Sequence, residues 1–147
     1  MERNLITEAE MARLRAIFEG DRYATGTTGI EIAEAAPGYA KVRLALDERH
    51  YNAAGRVMGA VYYTMADFAY AVASNVEAVL HTGEGEQPRL SVTLTSAVSF
   101  LTGARGSILY AESEPVREGR RVLFYRTRVT DDLGTLVAEV QAGGYRP

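Results

Sequence analysis

The stretch VMGAVYYTMADFAYAVASNV, residues 57–76, decides how the rest of the chain is read. Its twenty residues carry one charge, Asp67. That length matches a bilayer span. A central aspartate is costly in lipid, however, and Tyr62, Tyr63, Thr64, Tyr70, Ser74 and Asn75 add further polar groups. The stretch therefore reads as a helix buried inside a soluble domain, running over about 59–76. Val61, Met65, Phe68 and Val72 share one helical face, which belongs against a sheet. Asp67 shares the opposite face with Ala60, Tyr63, Thr64, Tyr70, Ala71 and Ser74.

Upstream, Thr7 and Glu10 form a capping-box pattern, and Met11, Leu14, Ile17 and Phe18 recur at helical spacing. This predicts a helix over about 7–19, with Gly20 at its exit. A turn-rich patch (25–29) leads to strands at 30–36 and 39–46, joined by Pro37-Gly38. Downstream of a loop at 83–88, four strands are expected at 90–100, 107–117, 121–130 and 135–145. The order is helix, two strands, one long nearly uncharged helix, four strands. Such a helix needs cover on most sides, and a curved antiparallel sheet wrapped around it supplies that cover. The expectation is one α+β domain over 1–147, with sheet edges that invite pairing with a second copy.

The 147 residues suffice for one core and are too few for two. With no cysteine there is no disulfide, thiolate nucleophile or sulfur-based zinc site. Two histidines, His50 and His81, are too few for an imidazole-rich metal centre, so no metal is expected. His50, beside Glu48 and Arg49, reads as solvated, and His81 falls in a surface loop. Sixteen basic residues against nineteen acidic ones give a net charge of −3, opposite to the basic excess usual for nucleic-acid binding. The N-terminus, MERNLITEAEMARL, is charged and amphipathic, without the apolar core of a secretory signal, so the expected location is cytoplasmic. Arg117, Arg120 and Arg121 lie among Glu112, Glu114 and Glu118, which reads as a solvated charged turn or, alternatively, a phosphate contact.

Proton chemistry then falls to the carboxylates, and Asp67 stands out because burial disfavours its charged form. Two readings stay open: a structural aspartate satisfied by neighbouring hydroxyls, or a functional group. The loop before the helix bears on the choice. Asn52 lies fifteen positions before Asp67, Gly55 punctuates the loop, and Gly59-Ala60 opens the helix. A helix N-terminus offers unpaired N–H groups and partial positive charge, so the Gly59 N–H is a candidate oxyanion donor. Asn52 can both donate and accept; the same loop also reads as a plain turn. Tyr63, Phe68 and Tyr70 fit either an apolar substrate pocket or the core.

The segment His50-Tyr51-Asn52-Ala53-Ala54-Gly55-Arg56-Val57-Met58-Gly59-Ala60, followed by Met65-Ala66-Asp67-Phe68-Ala69, resembles the hotdog-fold thioesterases of the phenylacetate-pathway (PaaI-like) type. Their pattern is N-x-x-G-x-x-H-G-G followed by an L-A-D-x-A-like segment. The resemblance implies a hotdog fold and hydrolysis of an acyl-CoA thioester, with no cofactor besides the coenzyme A of the substrate. It also implies a homodimer or a dimer of dimers with paired sites at the interface. Asp67 takes the place of the catalytic carboxylate, Gly59 of the carbonyl-polarising backbone and Asn52 of the asparagine, with Asp67 facing the other two from the opposite subunit. Met58, Ala60, Tyr63, Thr64 and Tyr70 are the expected substrate contacts, and Ser91 or Thr93 the hydroxyl that orients water. The sequence departs from the pattern at Met58, where the family has histidine, at Ala60, its second glycine, and after Phe100-Leu101, where a basic residue is usual. These departures leave open a non-catalytic module binding an acyl-CoA or another apolar ligand. A hydratase or dehydratase on the same fold ranks last, since those pair a carboxylate with a histidine.

Overall fold

The computed structural model describes residues 2–147. Helix α1 (Glu8–Phe18) begins at the expected capping box. Thr7 Oγ1 accepts the Glu10 N–H at 3.2 Å, and the Glu10 carboxylate accepts the Thr7 N–H at 2.9 Å. Strands β1 (Glu31–Ala36) and β2 (Tyr39–Ala45) form the first hairpin. Helix α2 (Gly59–Leu80) follows, then β3 (Val92–Phe100), β4 (Ile108–Glu118), β5 (Val122–Asp131) and β6 (Leu136–Tyr145). All six strands join one antiparallel sheet in the order β1-β2-β4-β5-β6-β3. This is the hotdog arrangement, a curved sheet around a long central helix.

The core lies between α2 and the concave face of the sheet. Met65, Phe68 and Val72 of α2 are buried with Val42, Leu44, Leu109, Ala111, Leu123 and Val129, as the period of 3.6 facing a period of 2 requires. Phe18 of α1 packs edge-on against Phe68, with ring centres 6.0 Å apart. Pro115 sits where the β4–β5 register shifts, a position at which a missing N–H costs no ladder bond. Among the described residues no helix is long and apolar enough to cross a membrane.

Three local expectations are corrected. Helix α2 runs on to Leu80 rather than ending near residue 76, because Ser74, Asn75, Val76 and Val79 are all buried and hold its last turns to the body. The turn-rich patch is a short π-helical turn, Tyr23–Thr28, closed by the left-handed Gly29. His50 is not solvated but 2% exposed. Its Nε2 donates to the Thr28 carbonyl at 2.8 Å and its Nδ1 accepts the Asp47 N–H at 3.0 Å. That neutral tautomer pins the loop before α2 to the π-helical turn.

Candidate active site

The face of α2 that turns away from the sheet is open in the single chain. Asp67 is exposed there, with Ala60 exposed and Tyr63, Thr64 and Ala71 half-buried around it. Crowding by neighbouring atoms pushes the Asp67 carboxyl above the ordinary carboxylate range, and the nearby charge of Asp21 adds to the rise. Asp21, in the turn after α1, is itself raised by burial. Among the described residues no donor binds the Asp67 carboxylate, which disfavours the reading of an aspartate satisfied by its own neighbours.

The hydroxyls around Asp67 are used elsewhere. Thr64 Oγ1 donates to the Ala60 carbonyl at 2.8 Å, and the Tyr63 hydroxyl pairs with Ser96 Oγ at 2.5 Å. Tyr70 departs from the expectation drawn from helical spacing. Its ring is turned into the core, edge-on to Tyr125 at 5.2 Å, and its buried hydroxyl fits only because position 144 is glycine. Ser91 is hydrogen-bonded to Ser74 Oγ at 2.9 Å and to Asn75, and Ser74 lies about two helical turns beyond Asp67. Thr93 is exposed on β3, opposite Gly144. The β3 hydroxyl tied to the open face is that of Ser96, through Tyr63. Sequence reasoning missed it; strand alternation continued from Phe100 past Val98 would have pointed to it.

At the other end, the loop before α2 shapes itself around Asn52. Its Oδ1 accepts the Ala54 and Arg56 N–H groups at 3.0 and 3.1 Å. The plain-turn reading of this loop thus holds for the side-chain oxygen, while the Nδ2 donors have no partner among the described residues. Asn52 can therefore donate to a water or a carbonyl, but its oxygen is already committed. Met58 precedes α2 in extended conformation, with its side chain half exposed, and gives no side-chain cap to the helix. The Gly59 and Ala60 N–H groups meet no acceptor among the described residues, as is usual for first-turn donors without a cap.

Phe100, the last residue of β3, packs against Gly59: a Cβ there would come within 2.9 Å of its ring. Gly59→Ala keeps the N–H but drives the helix start and the ring apart. A shift of that kind is expected to lower activity by on the order of 10- to 100-fold. Adding Phe100→Ala should restore most of the loss in kcat/KM. A double variant as poor as Gly59→Ala would show that the ring is not what position 59 must accommodate.

Comparison with known proteins agrees with this architecture. The family model described as Thioesterase superfamily matches residues 54–138, a segment that contains Gly59 and Asp67. A protein of Archaeoglobus fulgidus, named as a candidate esterase, is 28% identical over 116 residues, covering 78% of this chain and 69% of its own. One of Deinococcus radiodurans with the same description is 32% identical over 102 residues, 69% of this chain and 62% of that one. Among solved structures, the PaaI protein of the E. coli phenylacetic acid degradation operon superposes with a TM-score of 0.80 at 19% identity, covering 94% of this chain and 93% of its own. A variant of the phenylacetic acid degradation protein PaaI from Thermus thermophilus gives 0.71 at 26% identity, covering 84% and 97%. With more than half of its length matched by the family model and a PaaI-like architecture throughout, the chain belongs to the thioesterase superfamily.

Proposed function

We propose that this protein hydrolyses acyl-CoA thioesters at sites formed between two antiparallel copies of α2. The observation that carries the reading is the placement of Asp67. It is a carboxylate with a raised pKa and no hydrogen-bond partner among the described residues, on a helix face that they leave uncovered. Gly59 and Asp67 are eight residues apart, about 12 Å along one helix. The Gly59 N–H points out of the helix end, away from Asp67, so a carbonyl bound there lies farther still from the carboxylate of the same chain. A second helix running the opposite way brings its own Asp67 to that carbonyl.

The edge strand supports pairing. Every residue of β3 is exposed or half-buried, with Val92, Leu94 and Phe100 all more than half exposed. Its outer edge has no partner strand among the described residues. Continuing the sheet from β3 to a second β3 covers those side chains and lays the open faces of α2 side by side.

In such a site the thioester oxygen accepts the Gly59 N–H, which stabilises the charge that develops there. Asp67 takes a proton from water as the water oxygen bonds to the acyl carbon, or attacks that carbon itself to form a mixed anhydride that water then cleaves. Either way the sulfur leaves and is protonated, giving coenzyme A and the free acid. Asn52, with only its amide donors free, holds a water or carbonyl oxygen and removes no proton. Coenzyme A as the carrier is consistent with a fold neighbour, a Streptococcus mutans protein solved with acetyl-CoA.

A non-catalytic acyl-CoA module is favoured by one observation, Met58 standing half exposed where an imidazole would donate. A hydratase finds no support: His50 is committed to Asp47 and Thr28, and His81 follows the far end of α2. The test is a panel of short, long and aromatic acyl-CoAs followed by thiol release, with gel filtration alongside. Turnover by a species of at least two copies is expected. A strict monomer overturns the shared site. Tight binding without turnover, seen as a raised melting temperature, establishes the binding module instead.

A further inference from the structure

Residues 50–58 form a closed loop whose far end opens α2. The Met58 N–H donates to the His50 carbonyl at 2.8 Å, the Asn52 N–H donates to the Arg56 carbonyl at 2.7 Å, and Tyr51 and Val57 pair as a β-bridge. Residues 51–56 are all exposed, so the body of the protein grips this loop at its ends, through the buried His50 and Val57. Val57 offers apolar contact without direction. His50 supplies direction: its ring donates to the Thr28 carbonyl, at the end of the π-helical turn, and accepts the Asp47 N–H. The path from that ring to the site is short. The His50 carbonyl takes the Met58 N–H, and the Met58 carbonyl takes the Val61 N–H at 2.9 Å. The Met58 carbonyl and the Gly59 N–H share one planar peptide, so these two bonds fix where the Gly59 N–H points.

We propose that His50 is a positioning residue for the hydrolysis: its bond to Thr28 holds the loop in the arrangement that aims the Gly59 N–H and the Asn52 amide at the substrate. The proposal rests on the reading of Gly59 as the donor to the thioester oxygen. His50 touches no substrate itself, since its ring is sealed inside the fold. It supplies rigidity where a small displacement is costly. A donor aimed at a developing oxyanion loses much of its effect when its loop swings by about 1 Å. Arg49 donates to the neighbouring Thr27 carbonyl but is no substitute, because it is exposed and shared with the Asp47 carboxylate. The two ring nitrogens can be separated by substitution. Glutamine places its amide near Nε2 and keeps a donor for Thr28. Asparagine places its oxygen near Nδ1 and keeps only the acceptor for the Asp47 N–H.

The test compares His50→Gln and His50→Asn with the wild type, in acyl-CoA hydrolysis and in amide exchange followed by NMR. In the wild type the Met58 N–H should exchange slowly although its side chain is exposed; free exchange there overturns the proposal before any substitution is made. His50→Asn should lower kcat by on the order of 10- to 100-fold at unchanged KM, since the misplaced donor acts on the transition state, and Met58 should lose its protection. His50→Gln should keep most of kcat and the protection. Equal kcat in all three proteins, a glutamine variant as poor as the asparagine one, or a loss explained by a smaller folded fraction overturns the positioning role. If His50→Asn does not fold, the wild-type exchange and the kcat of His50→Gln decide, and a tenfold drop in a folded His50→Gln protein counts against it. Absence of turnover in the wild type defeats the thioesterase reading instead, while Met58 exchange in the two variants still decides whether the ring orders the loop.

Discussion

Asp67→Asn is expected to lower thioester hydrolysis by at least about 10²-fold, the loss typical when a positioned acid–base group is removed. Coenzyme A release from the best substrate of the panel measures it, and equal rates in the two proteins would falsify the catalytic role. The substitution keeps size and hydrogen-bonding capacity but removes the charge. Because crowding by neighbouring atoms, aided by the charge of Asp21, raises the folded-state pKa, ionising Asp67 opposes folding. Below the unfolded value, near 3.8, it contributes nothing; as pH rises past that value, the folded chain retains its proton longer and stability falls. The asparagine variant is therefore expected to melt higher than the wild type near neutral pH, with the gain fading in acid. Higher stability joined to lost activity is the trade-off expected of a functional carboxylate. The acid limb of the wild-type rate profile should lie above the ordinary carboxylate range for the same reason.

The largest effect on stability is expected at Asp131. Its side chain is 3% exposed, and burial works against its ionisation. Four backbone N–H groups outweigh that and bring its pKa down to about 2. The donors are Arg105 at 2.8 Å, Gly106 at 3.0 Å, Leu133 at 3.0 Å and Thr135 at 2.8 Å. The residue thus ties the loop between β3 and β4 to the β5–β6 hairpin. Asp131→Ala strands all four donors, and a loss of about 2–4 kcal/mol is expected. Urea denaturation should show a lower midpoint at unchanged slope. Asp131→Asn, which keeps one oxygen for two donors, should fall between. Since this pKa is depressed in the folded state, the contribution is present above about 3.8 and is lost as pH falls towards 2, the reverse of the trend at Asp67. A variant that unfolds no more easily than the wild type would show that these bonds are replaced by water.

What could be read from the sequence was what local chemistry determines. The cap of α1 needs only Thr7 and Glu10, three residues apart, and each strand needs only its alternation and its turn. The burial of α2 followed from a run with a single charge, and Asp67 stood out as that charge. What could not be read depends on partners far along the chain. His50 has polar neighbours in sequence, yet its ring is sealed by Thr28, twenty-two residues away. Asp131 falls in the short connection between the strands expected at 121–130 and 135–145, although two of its donors lie some twenty-five positions upstream. Tyr70 sits within 60° of Asp67 on an ideal helix; a glycine on β6 decides that its ring goes inward. Asp21 gave no signal at all, because only the packing of α1 on α2 brings it near Asp67.

Strand β3 reads VTLTSAVSF, with no charge, no proline and no glycine. Natural sheets usually guard a free edge with a lysine, a proline or an inward charge, and this edge has none of them. A newly folded chain therefore displays a sticky strand end to end until another chain covers it. Whatever pairs fastest with that edge determines the outcome, and a slow or mismatched encounter leads towards stacked, insoluble assemblies instead of a working enzyme. The same bare edge sets a limit on redesign. A lysine at Leu94 or Ser96 would protect a solitary chain, and in doing so would deny it the neighbour that the proposed shared site requires.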